Sequence, residues 1–258
     1  VIASNARLIA TARDARTLDA LEELAPERVQ TLSMDVNDEA EVRAGVTRAV
    51  AAFGRVDVLV NNAGYGLIGA VEEVSDAEAR AQMETNVFGA LKVTRAVLPY
   101  LREQGSGHIL NISSVAGVVS TPGLGIYNAS KYALEGWSEA LAAELAPLGI
   151  KVTLIEPGPF RTDWAGASLV QAARTLEAYD ATAGATLRTL KGYTGHQPGD
   201  PVKAAAAMIK VVESKNPPLR LPLGEMAVTR IRAKLIAQLS ELDAWEKVAL
   251  DTAFPAGK

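Results

Sequence analysis

The sequence predicts a single α/β domain built on a doubly wound parallel sheet of the Rossmann-like kind. Short apolar runs of strand length alternate along the chain with longer segments of helical periodicity, which is typical of βαβ units. Such alternation predicts a parallel sheet that is covered by helices on both faces. A chain of 258 residues can form one large domain of this class. We therefore expect one domain over residues 1–258, with no linker or repeat dividing it.

The predicted elements follow one another in the order that βαβ units require. The strands are predicted over residues 8–12, 29–34, 56–60, 108–112, 152–155 and 219–221. The helices are predicted over residues 17–24, 39–53, 77–101, 127–145 and 201–212. Ser75 and Asp76 can cap the third helix, and glycines at positions 105, 107 and 149 separate helices from the next strands.

Composition and charge exclude several classes of function. With 26 Lys and Arg against 30 Asp and Glu, the net charge is −4 and no basic run is present, so we expect no nucleic-acid partner. The absence of Cys excludes disulfides, a thiol nucleophile and Cys-ligated metal. The sequence contains neither an apolar run long enough to span a membrane nor a signal-peptide pattern. These observations predict a cytoplasmic protein without a membrane partner.

Two stretches depart from the alternation of strands and helices. Residues 161–199 are rich in Ala, Thr and Gly, and a long irregular stretch between two strands is unusual unless it is functional, so we expect a substrate lid. Residues 225–258 form a predicted C-terminal helical extension that packs on the core or on another subunit. Its apolar residues at helical spacing are Ile231, Leu235, Leu239, Leu242 and Trp245.

The strongest candidate site combines Ser114, Tyr127 and Lys131. Tyr127 and Lys131 are four residues apart at the start of a predicted helix, so their side chains share one face. A neighbouring ammonium favours the phenolate, and we expect it to lower the pKa of Tyr127 from its usual value of about 10. Ser114 follows a predicted strand at the carboxyl end, where open α/β sheets bind ligands. An isolated Tyr-x-x-x-Lys pair is typical of an ordinary helix surface, whereas the added Ser predicts a catalytic site.

These residues resemble the short-chain dehydrogenase/reductase family, whose hallmark is a Ser followed by Tyr-x-x-x-Lys, here thirteen residues later. Asn86, within residues 85–89, resembles the helix Asn that completes the family's catalytic tetrad with Ser114, Tyr127 and Lys131. The matching motifs extend from about residue 8 to about residue 201, which is most of the chain.

The resemblance also implies which residues contact a dinucleotide cofactor. Residues 61–64 match the family's Asn-Asn-Ala-Gly segment, residues 157–162 match its Pro-Gly-x-x-x-Thr segment, and residues 34–36 carry the acid that contacts the adenine. With Tyr127 and Lys131, the implied cofactor-binding residues are Arg13, Asp35, Val36, Asn62, Ala63, Gly64, Pro157, Gly158 and Thr162.

By this resemblance the chain interconverts a carbonyl compound and its alcohol. Ser114 and Tyr127 would hydrogen-bond the carbonyl, the nicotinamide would deliver hydride, and Tyr127 would supply the proton. Lys131 would hold the nicotinamide ribose, and Asn86 would link Lys131 to solvent. Two alternatives remain open: a catalytically silent NADPH-sensing or scaffold protein of the same fold, and a family member that catalyses epimerisation or dehydration.

The cofactor preference depends on the end of the first predicted strand. An acid there would bind the ribose hydroxyls of NAD, whereas an Arg accommodates the 2′-phosphate of NADP. Ala12 occupies the acid position and Arg13 follows it, which favours NADP. Asp14 keeps NAD as the alternative.

The glycine-rich phosphate loop of the family is missing from the printed residues. It belongs between the family's first strand and first helix, so we expect roughly 25 residues upstream of Val1 that carry this strand, the loop and most of the helix. Residues 64–69 spell Gly-x-Gly-x-x-Gly, but the next predicted helix begins later and no acid ends a strand downstream. We therefore expect this motif not to bind pyrophosphate.

The sequence gives less information about the identity of the substrate, metal binding and the oligomeric state. The candidate substrate-pocket residues are Tyr65, Val115, Val119, Phe160, Trp164 and Tyr193, and their apolar and aromatic character predicts a moderately hydrophobic small molecule. His108 and His196 fit no ligand spacing, so we expect no metal. The helices predicted over residues 77–101 and 127–145 resemble those that pair across subunits in the family, which implies a homodimer or homotetramer.

Overall fold

Eight strands and eight helices alternate along the part of the chain that the computed structural model describes, residues 6–166 and 168–254. The strands are β1 (Leu8–Ala12), β2 (Val29–Ser33), β3 (Val58–Asn61), β4 (Gly66–Ile68), β5 (Gly107–Ile112), β6 (Ile150–Pro157), β7 (Leu169–Gln171) and β8 (Arg220–Leu223). The helices are α1 (Asp19–Glu23), α2 (Glu39–Phe53), α3 (Asp76–Met83), α4 (Ala90–Gln104), α5 (Gly125–Leu145), α6 (Ala185–Tyr193), α7 (Pro201–Glu213) and α8 (Glu225–Leu250). Each predicted strand and helix is present, which confirms the predicted fold class.

A four-stranded parallel sheet forms the centre of the fold, in the order β3–β5–β6–β8. Its register places Asn61 opposite Asn111, so the carboxyl ends of β3 and β5 lie side by side. β1 and β2 form a separate parallel pair, and β4 pairs in parallel with β7.

Within residues 6–166 and 168–254, β1 and β3 are each hydrogen-bonded to a neighbouring strand on one side only. β1 bonds to β2, and β3 bonds to β5. Val60 on β3 is 48% exposed. Within the described residues, β1 and β3 are therefore edge strands.

The main core lies between the sheet and the helices α2, α4 and α5. Burying each of its large apolar side chains contributes roughly 1.5–3 kcal/mol. The buried members are Met34, Val42, Val46, Val93, Val97, Leu101, Ile109, Leu145, Ile150 and Val152. Gly45 on α2 allows close packing here, because a Cβ at that position would lie 2.7 Å from the sulfur of Met34.

The helix predicted over residues 77–101 is interrupted. α3 begins with a capping box between Ser75 and Glu78 and ends at Met83. A π-helical turn, Glu84–Gly89, then connects it to α4. Such turns displace side chains from the regular helical positions and often occur at functional sites.

The stretch predicted as a lid is more regular than its composition indicates. It contains β7, α6 and single turns of 3₁₀- and π-helix between them. Buried Glu73 anchors it by accepting a hydrogen bond from the backbone N–H of Leu176 at 2.7 Å, and Glu78 accepts one from Ala173 at 2.9 Å. The stretch is thereby held over β4.

The C-terminal extension is helical, as predicted, over residues 225–250, and residues 255–258 of the predicted extension lie outside the described residues. Ala227 and Ile231 are buried, whereas every residue from 235 to 250 is exposed. Packing of α8 on this chain's own core is therefore confined to its first turns.

Candidate active site

Ser114, Tyr127 and Lys131 meet at the carboxyl end of β5. Ser114 caps the short turn after β5, where its hydroxyl accepts a hydrogen bond from the backbone N–H of Ala116 at 3.1 Å. Tyr127 lies in the first turns of α5 and hydrogen-bonds Ser114. Lys131 follows one turn later, and its Nζ donates to the carbonyl oxygen of Ile112 at 2.8 Å. The structure thus brings together the three side chains that the sequence singled out.

The expected lowering of the Tyr127 pKa is wrong for this structure. Tyr127 is only 4% exposed, and burial raises the pKa of its phenol to about 12, against a smaller lowering by the hydrogen bond with Ser114. Burial also lowers the pKa of Lys131 to about 8, although the charge of Glu135 opposes this shift. Desolvation of both groups outweighs their mutual attraction, since Lys131 Nζ lies 5.8 Å from the centre of the Tyr127 ring.

Asn86 is held beside Lys131 by three hydrogen bonds. Its Oδ1 accepts from the backbone N–H of Tyr65 at 3.0 Å, and its Nδ2 donates to the carbonyl of Tyr65 at 3.0 Å and to Ser130 Oγ at 3.1 Å. A Cβ on Gly64 would lie 3.0 Å from Asn86 Oδ1 and 3.8 Å from Lys131 Nζ. Gly64 therefore sits next to both groups, and the predicted tetrad is assembled in one place.

The segment after β3 presents backbone to the surface beside this tetrad. Asn62, Ala63 and Gly64 are exposed, whereas Asn61 just before them is buried. Asn61 Nδ2 donates to Asn111 Oδ1 at 2.7 Å and to Thr94 Oγ1 at 2.9 Å, which fixes the strand end. This arrangement leaves the predicted cofactor-contacting residues accessible on a rigid support.

Arg13, Asp35 and Val36 lie at the carboxyl ends of β1 and β2. Arg13 is exposed and follows β1 directly. Asp14 is engaged elsewhere, because it caps the turn that follows and pairs with Arg16 at 2.7 Å, which lowers its pKa. The Asp35 carboxylate accepts a hydrogen bond from the backbone N–H of Asn37 at 2.9 Å.

Pro157, Gly158 and Thr162 line the end of β6. The backbone N–H of Gly158 donates to Leu223 at 2.9 Å, and a Cβ at Gly158 would lie 3.3 Å from the backbone nitrogen of Ala227. Thr162 is exposed and caps the turn that contains Trp164. The described residues therefore fit a nicotinamide dinucleotide: exposed backbone after β3 adjoins Lys131, partly buried residues end β6, and the positions after β1 and β2 carry Arg13 and Asp35.

The predicted pocket residues differ in how near they lie to Tyr127. The Trp164 ring packs on the Tyr127 ring with centroids 5.3 Å apart. Phe160 instead packs against Gly199 and Gly224. Tyr193 is exposed at the end of α6. Tyr65, Val115 and Val119 are partly buried in the segments that carry Asn86 and Ser114.

A cavity of about 450 Å³ opens between β4 and the lid stretch. Ile68 and Leu187 belong both to its wall and to the apolar cluster that packs around Tyr127. The remaining wall combines apolar residues such as Leu176 with charged residues such as Arg174 and Arg188. The six predicted pocket residues are not part of this wall. Sequence reasoning missed it because Ile68 lies on a three-residue strand and Leu187 on a helix hidden in the predicted lid.

The Gly-x-Gly-x-x-Gly stretch, residues 64–69, does not lead directly into a helix as a phosphate loop would. Gly66, Leu67 and Ile68 form β4, which is buried and paired with β7. A Cβ on Gly66 would lie 2.6 Å from the Trp164 ring, so this glycine makes room for the lid. The helix that follows starts only at Asp76.

Sequence reasoning also missed a buried carboxylate pair behind Lys131. Glu135 and Glu156 are 5% and 1% exposed, and both face Arg220, whose Nε lies 3.0 Å from Glu135 and 3.7 Å from Glu156. Burial raises the pKa of Glu156 to about 7, assisted by the charge of Glu135 and opposed by Arg220. Arg220 also binds the exposed Glu139 at 2.5 Å.

Within residues 6–166 and 168–254, no group of three His, Asp or Glu side chains is placed to hold a metal ion. His108 is buried in β5 and contacts Thr153 Oγ1 at 2.9 Å. No helix in that part of the chain is both long and apolar enough to span a bilayer.

Comparison with known proteins agrees with this site. The family model described as short chain dehydrogenase matches residues 1–172. Oxidoreductase BOA17 of Botryotinia fuckeliana is 42% identical over 248 residues, covering 95% of this chain and 90% of that protein.

Solved structures show the same fold. A short-chain dehydrogenase from Streptomyces avermitilis matches with a TM-score of 0.91 and 42% identity, over 98% of this chain and 92% of that one. A metagenomic short-chain oxidoreductase in complex with NADP matches with a TM-score of 0.56 and 34% identity, over 59% and 71% of the two chains. A short-chain dehydrogenase/reductase from Burkholderia phymatum in complex with NAD matches with a TM-score of 0.75 and 28% identity, over 88% and 83%.

The assembled tetrad, the family model and these relatives agree with one another. The chain is therefore an oxidoreductase acting on CH–OH or C=O groups, with a nicotinamide cofactor as in its structural neighbours. It belongs to the short-chain dehydrogenase/reductase family.

Proposed function

We propose that this enzyme reduces a ketone or aldehyde to its alcohol with NADPH, and catalyses the reverse oxidation with NADP. The observation that supports this proposal is the meeting of Ser114, Tyr127, Lys131 and Asn86 next to the exposed backbone after β3. A bound nicotinamide would donate hydride to the carbonyl carbon, or accept it from the alcohol.

Tyr127 is the proton donor in the reducing direction. Since burial raises the pKa of its phenol to about 12, the group keeps its proton at neutral pH and can give it to a developing alkoxide. Ser114 shares a hydrogen bond with Tyr127, so both hydroxyls can bind one carbonyl oxygen. Burial raises the Tyr127 pKa instead of lowering it as the sequence predicted, and the raised pKa favours reduction at neutral pH.

Lys131 and Asn86 act beside Tyr127. Lys131 Nζ donates one hydrogen bond to Ile112, which leaves further N–H groups for the ribose hydroxyls of the cofactor. Asn86 is fixed by Tyr65 and Ser130 and lies between Lys131 and the surface segment of Gly64. We assign it the relay of protons from solvent through a water molecule.

The cofactor is held by the residues at the strand ends, with NADP preferred over NAD. Arg13 is exposed where the 2′-phosphate of NADP would lie, and Asp14, the group that would favour NAD, is bound to Arg16. The other contacts are assigned to Asp35, Val36, Asn62, Ala63, Gly64, Pro157, Gly158 and Thr162.

The substrate is a small molecule with an apolar part next to its carbonyl. Trp164 stacks near Tyr127, and Ile68 and Leu187 continue the apolar surface toward the cavity under the lid stretch. Tyr65, Val115, Val119, Phe160 and Tyr193 are assigned to the rest of the pocket.

We further propose a homodimer or homotetramer that assembles through α4 and α5, and a cytoplasmic location. Phe88, just before α4, and Tyr132 on α5 are 48% and 40% exposed, which supports contact between subunits there. Sedimentation of a monomer alone at micromolar concentration would count against this assembly.

The direct test measures NADPH oxidation and alcohol formation with a panel of apolar aldehydes and ketones. Tyr127→Phe should lower turnover at least about 10³-fold while the Kd for NADPH stays within about threefold. Tyr100→Phe, in the groove between α2 and α4, is the matched control and should retain turnover. Undiminished turnover in Tyr127→Phe would reject the assigned role. NADPH binding without reduction of any carbonyl would favour the silent sensor, and product formation without net NADPH consumption would favour an epimerase or dehydratase.

A further inference from the structure

The outer part of α8, residues 235–250, carries an apolar surface that residues 6–166 and 168–254 leave uncovered. Every residue in that range is exposed. The large apolar side chains concerned are Leu235, Ile236, Leu239, Leu242, Trp245 and Leu250, which are 55–71% exposed.

A helix that projects in this way lacks a source of stability. The first turns of α8 are fixed by buried Ala227 and Ile231 and by a hydrogen bond from Arg230 to Thr121 at 3.1 Å. The outer sixteen residues have no comparable contact within the described chain, and helices in proteins owe most of their stability to packing of an apolar face. Exposed apolar patches of this size on soluble domains usually mark interaction sites.

Four apolar residues form a stripe along one side of the helix, and Glu246 lies on the same side. At about 100° per residue, Val228, Leu235, Leu239 and Leu242 fall within a sector of about 60°. Trp245 and Leu250 flank that sector near the carboxyl end. The stripe has the 3.5-residue spacing of a helix that packs lengthwise against a second helix.

The charges on this side of the helix are complementary to an antiparallel copy of the same helix. Arg232 lies near the amino-terminal end of the stripe, and Asp243 and Glu246 lie near its carboxyl-terminal end. A two-fold axis near Leu239 would place Arg232 of one copy beside Glu246 of the other. The same axis would place Leu235 of one copy beside Leu242 of the other. Two-fold symmetry would then form each of these apolar and charged contacts twice.

We propose that α8 pairs antiparallel with α8 of a second copy of this chain, with Leu239 near the two-fold axis. The available area is that of a small specific interface, since the six side chains Val228, Leu235, Leu239, Leu242, Trp245 and Leu250 at roughly 100 Å² apiece give about 600 Å² per partner, the lower end of the standard range. This interface is distinct from the one assigned to α4 and α5, and it does not depend on the proposed reaction.

The sequence contains no Cys, so a single introduced thiol reports on this contact alone. Leu239→Cys should form an intermolecular disulfide under mild oxidation, because two residues at the axis approach within disulfide range. Ala237→Cys, on the opposite side of the helix, is the matched control and should cross-link at least about tenfold more slowly. A mixture of Leu235→Cys and Leu242→Cys chains should also cross-link, faster than either variant alone.

Charge reversal tests the orientation in the Leu239→Cys background. Arg232→Glu or Glu246→Arg alone should slow cross-linking about tenfold by placing like charges together, and the double reversal should restore it. Equal cross-linking of Leu239→Cys and Ala237→Cys would overturn the proposal. Co-sedimentation of the full chain with phosphatidylcholine vesicles, without a Leu239→Cys cross-link, would assign the stripe to a membrane surface instead and would also overturn it.

Discussion

The ammonium nitrogen of Lys131 lies 5.8 Å from the centre of the Tyr127 ring, and both side chains are buried. Burial moves their pKa values in opposite directions, that of Tyr127 up to about 12 and that of Lys131 down to about 8. Each group is therefore neutral more readily than it would be in water. The buried phenol therefore keeps its proton at neutral pH, whereas burial disfavours the charged form of Lys131.

Lys131→Met should stabilise the fold while it abolishes activity. The pKa of Lys131 falls from 10.5 in water to about 8, so holding its charge costs folding free energy. That cost is complete below pH 8, where both folded and unfolded chains are protonated, and it disappears as pH rises toward 10.5. After loss of the hydrogen bond to Ile112 is allowed for, we expect a gain of about 1–3 kcal/mol at pH 7.

Denaturant unfolding at pH 7 and pH 10 measures this difference. Lys203→Met, on the exposed face of α7, is the control and should change stability by less than about 0.5 kcal/mol. A Lys131→Met chain that is less stable than the parent at pH 7 would show that contacts in the folded state fully offset the free-energy cost of burying the ammonium group.

Glu156→Gln should remove a pH dependence of stability. The folded-state pKa of Glu156 is about 7 because of burial, above the ordinary 4.5. The raised value adds stability in full below pH 4.5, and this contribution is lost as pH rises through about 7. The variant should be more stable than the parent by about 1–3 kcal/mol at pH 8, and should show a flatter profile between pH 4.5 and 7. Glu139→Gln, at an exposed carboxylate on the same Arg220, is the comparison, and equal profiles for both variants would refute the assignment.

Arg13→Ala should shift the cofactor preference. Removing the guanidinium takes away the charge that we assign to binding of the 2′-phosphate, so we expect the KM for NADPH to rise at least about tenfold while the KM for NADH changes less than threefold. Arg16→Ala removes a nearby exposed Arg that binds Asp14 and should leave the KM for NADPH nearly unchanged. A parent enzyme with higher kcat/KM for NADH than for NADPH would contradict the assignment.

Trp164→Ala should weaken substrate binding more than cofactor binding. The centroid of the Trp164 ring lies 5.3 Å from that of the Tyr127 ring, and we assign Trp164 to the proposed substrate pocket. We expect kcat/KM for apolar carbonyls to fall about 10- to 100-fold, with the Kd for NADPH within threefold. Val170→Ala, at an exposed position on β7, should change neither constant, and a similar loss in both variants would indicate a general disturbance of the lid stretch.

Much of the fold could be predicted from the sequence because short apolar segments alternate with longer segments of helical periodicity. The predicted strand over residues 8–12 and the predicted helix over residues 39–53 coincide with β1 and α2. The other predicted elements are shifted by a few residues or joined across a π-helical turn, which has no signal in hydrophobic periodicity.

The lid stretch and β4 could not be predicted in detail. β4 is three residues long and is specified by pairing with β7, a contact between segments far apart in the chain. The Ala-, Thr- and Gly-rich sequence around α6 gives weak periodicity, although Leu187 and Leu190 mark the side that packs toward Tyr127.

The candidate site was identifiable from spacing, whereas its electrostatics were not. Ser114, Tyr127 and Lys131 stand at distances along the chain that a strand end followed by a helix brings together. The direction of the Tyr127 pKa depends on how deeply the phenol is buried, which spacing alone does not specify. Glu156 and Arg220 are likewise brought beside Glu135 by the pairing of β6 with β8.

The most direct test of the proposed reaction is transfer of deuterium from NADPH labelled at C4 of the nicotinamide to the alcohol product. We expect one deuterium on the carbinol carbon for each NADPH oxidised, and loss of this product in Tyr127→Phe with NADPH binding retained. A product without deuterium, or equal labelling by the parent and Tyr127→Phe, would contradict hydride transfer with Tyr127 as the proton donor.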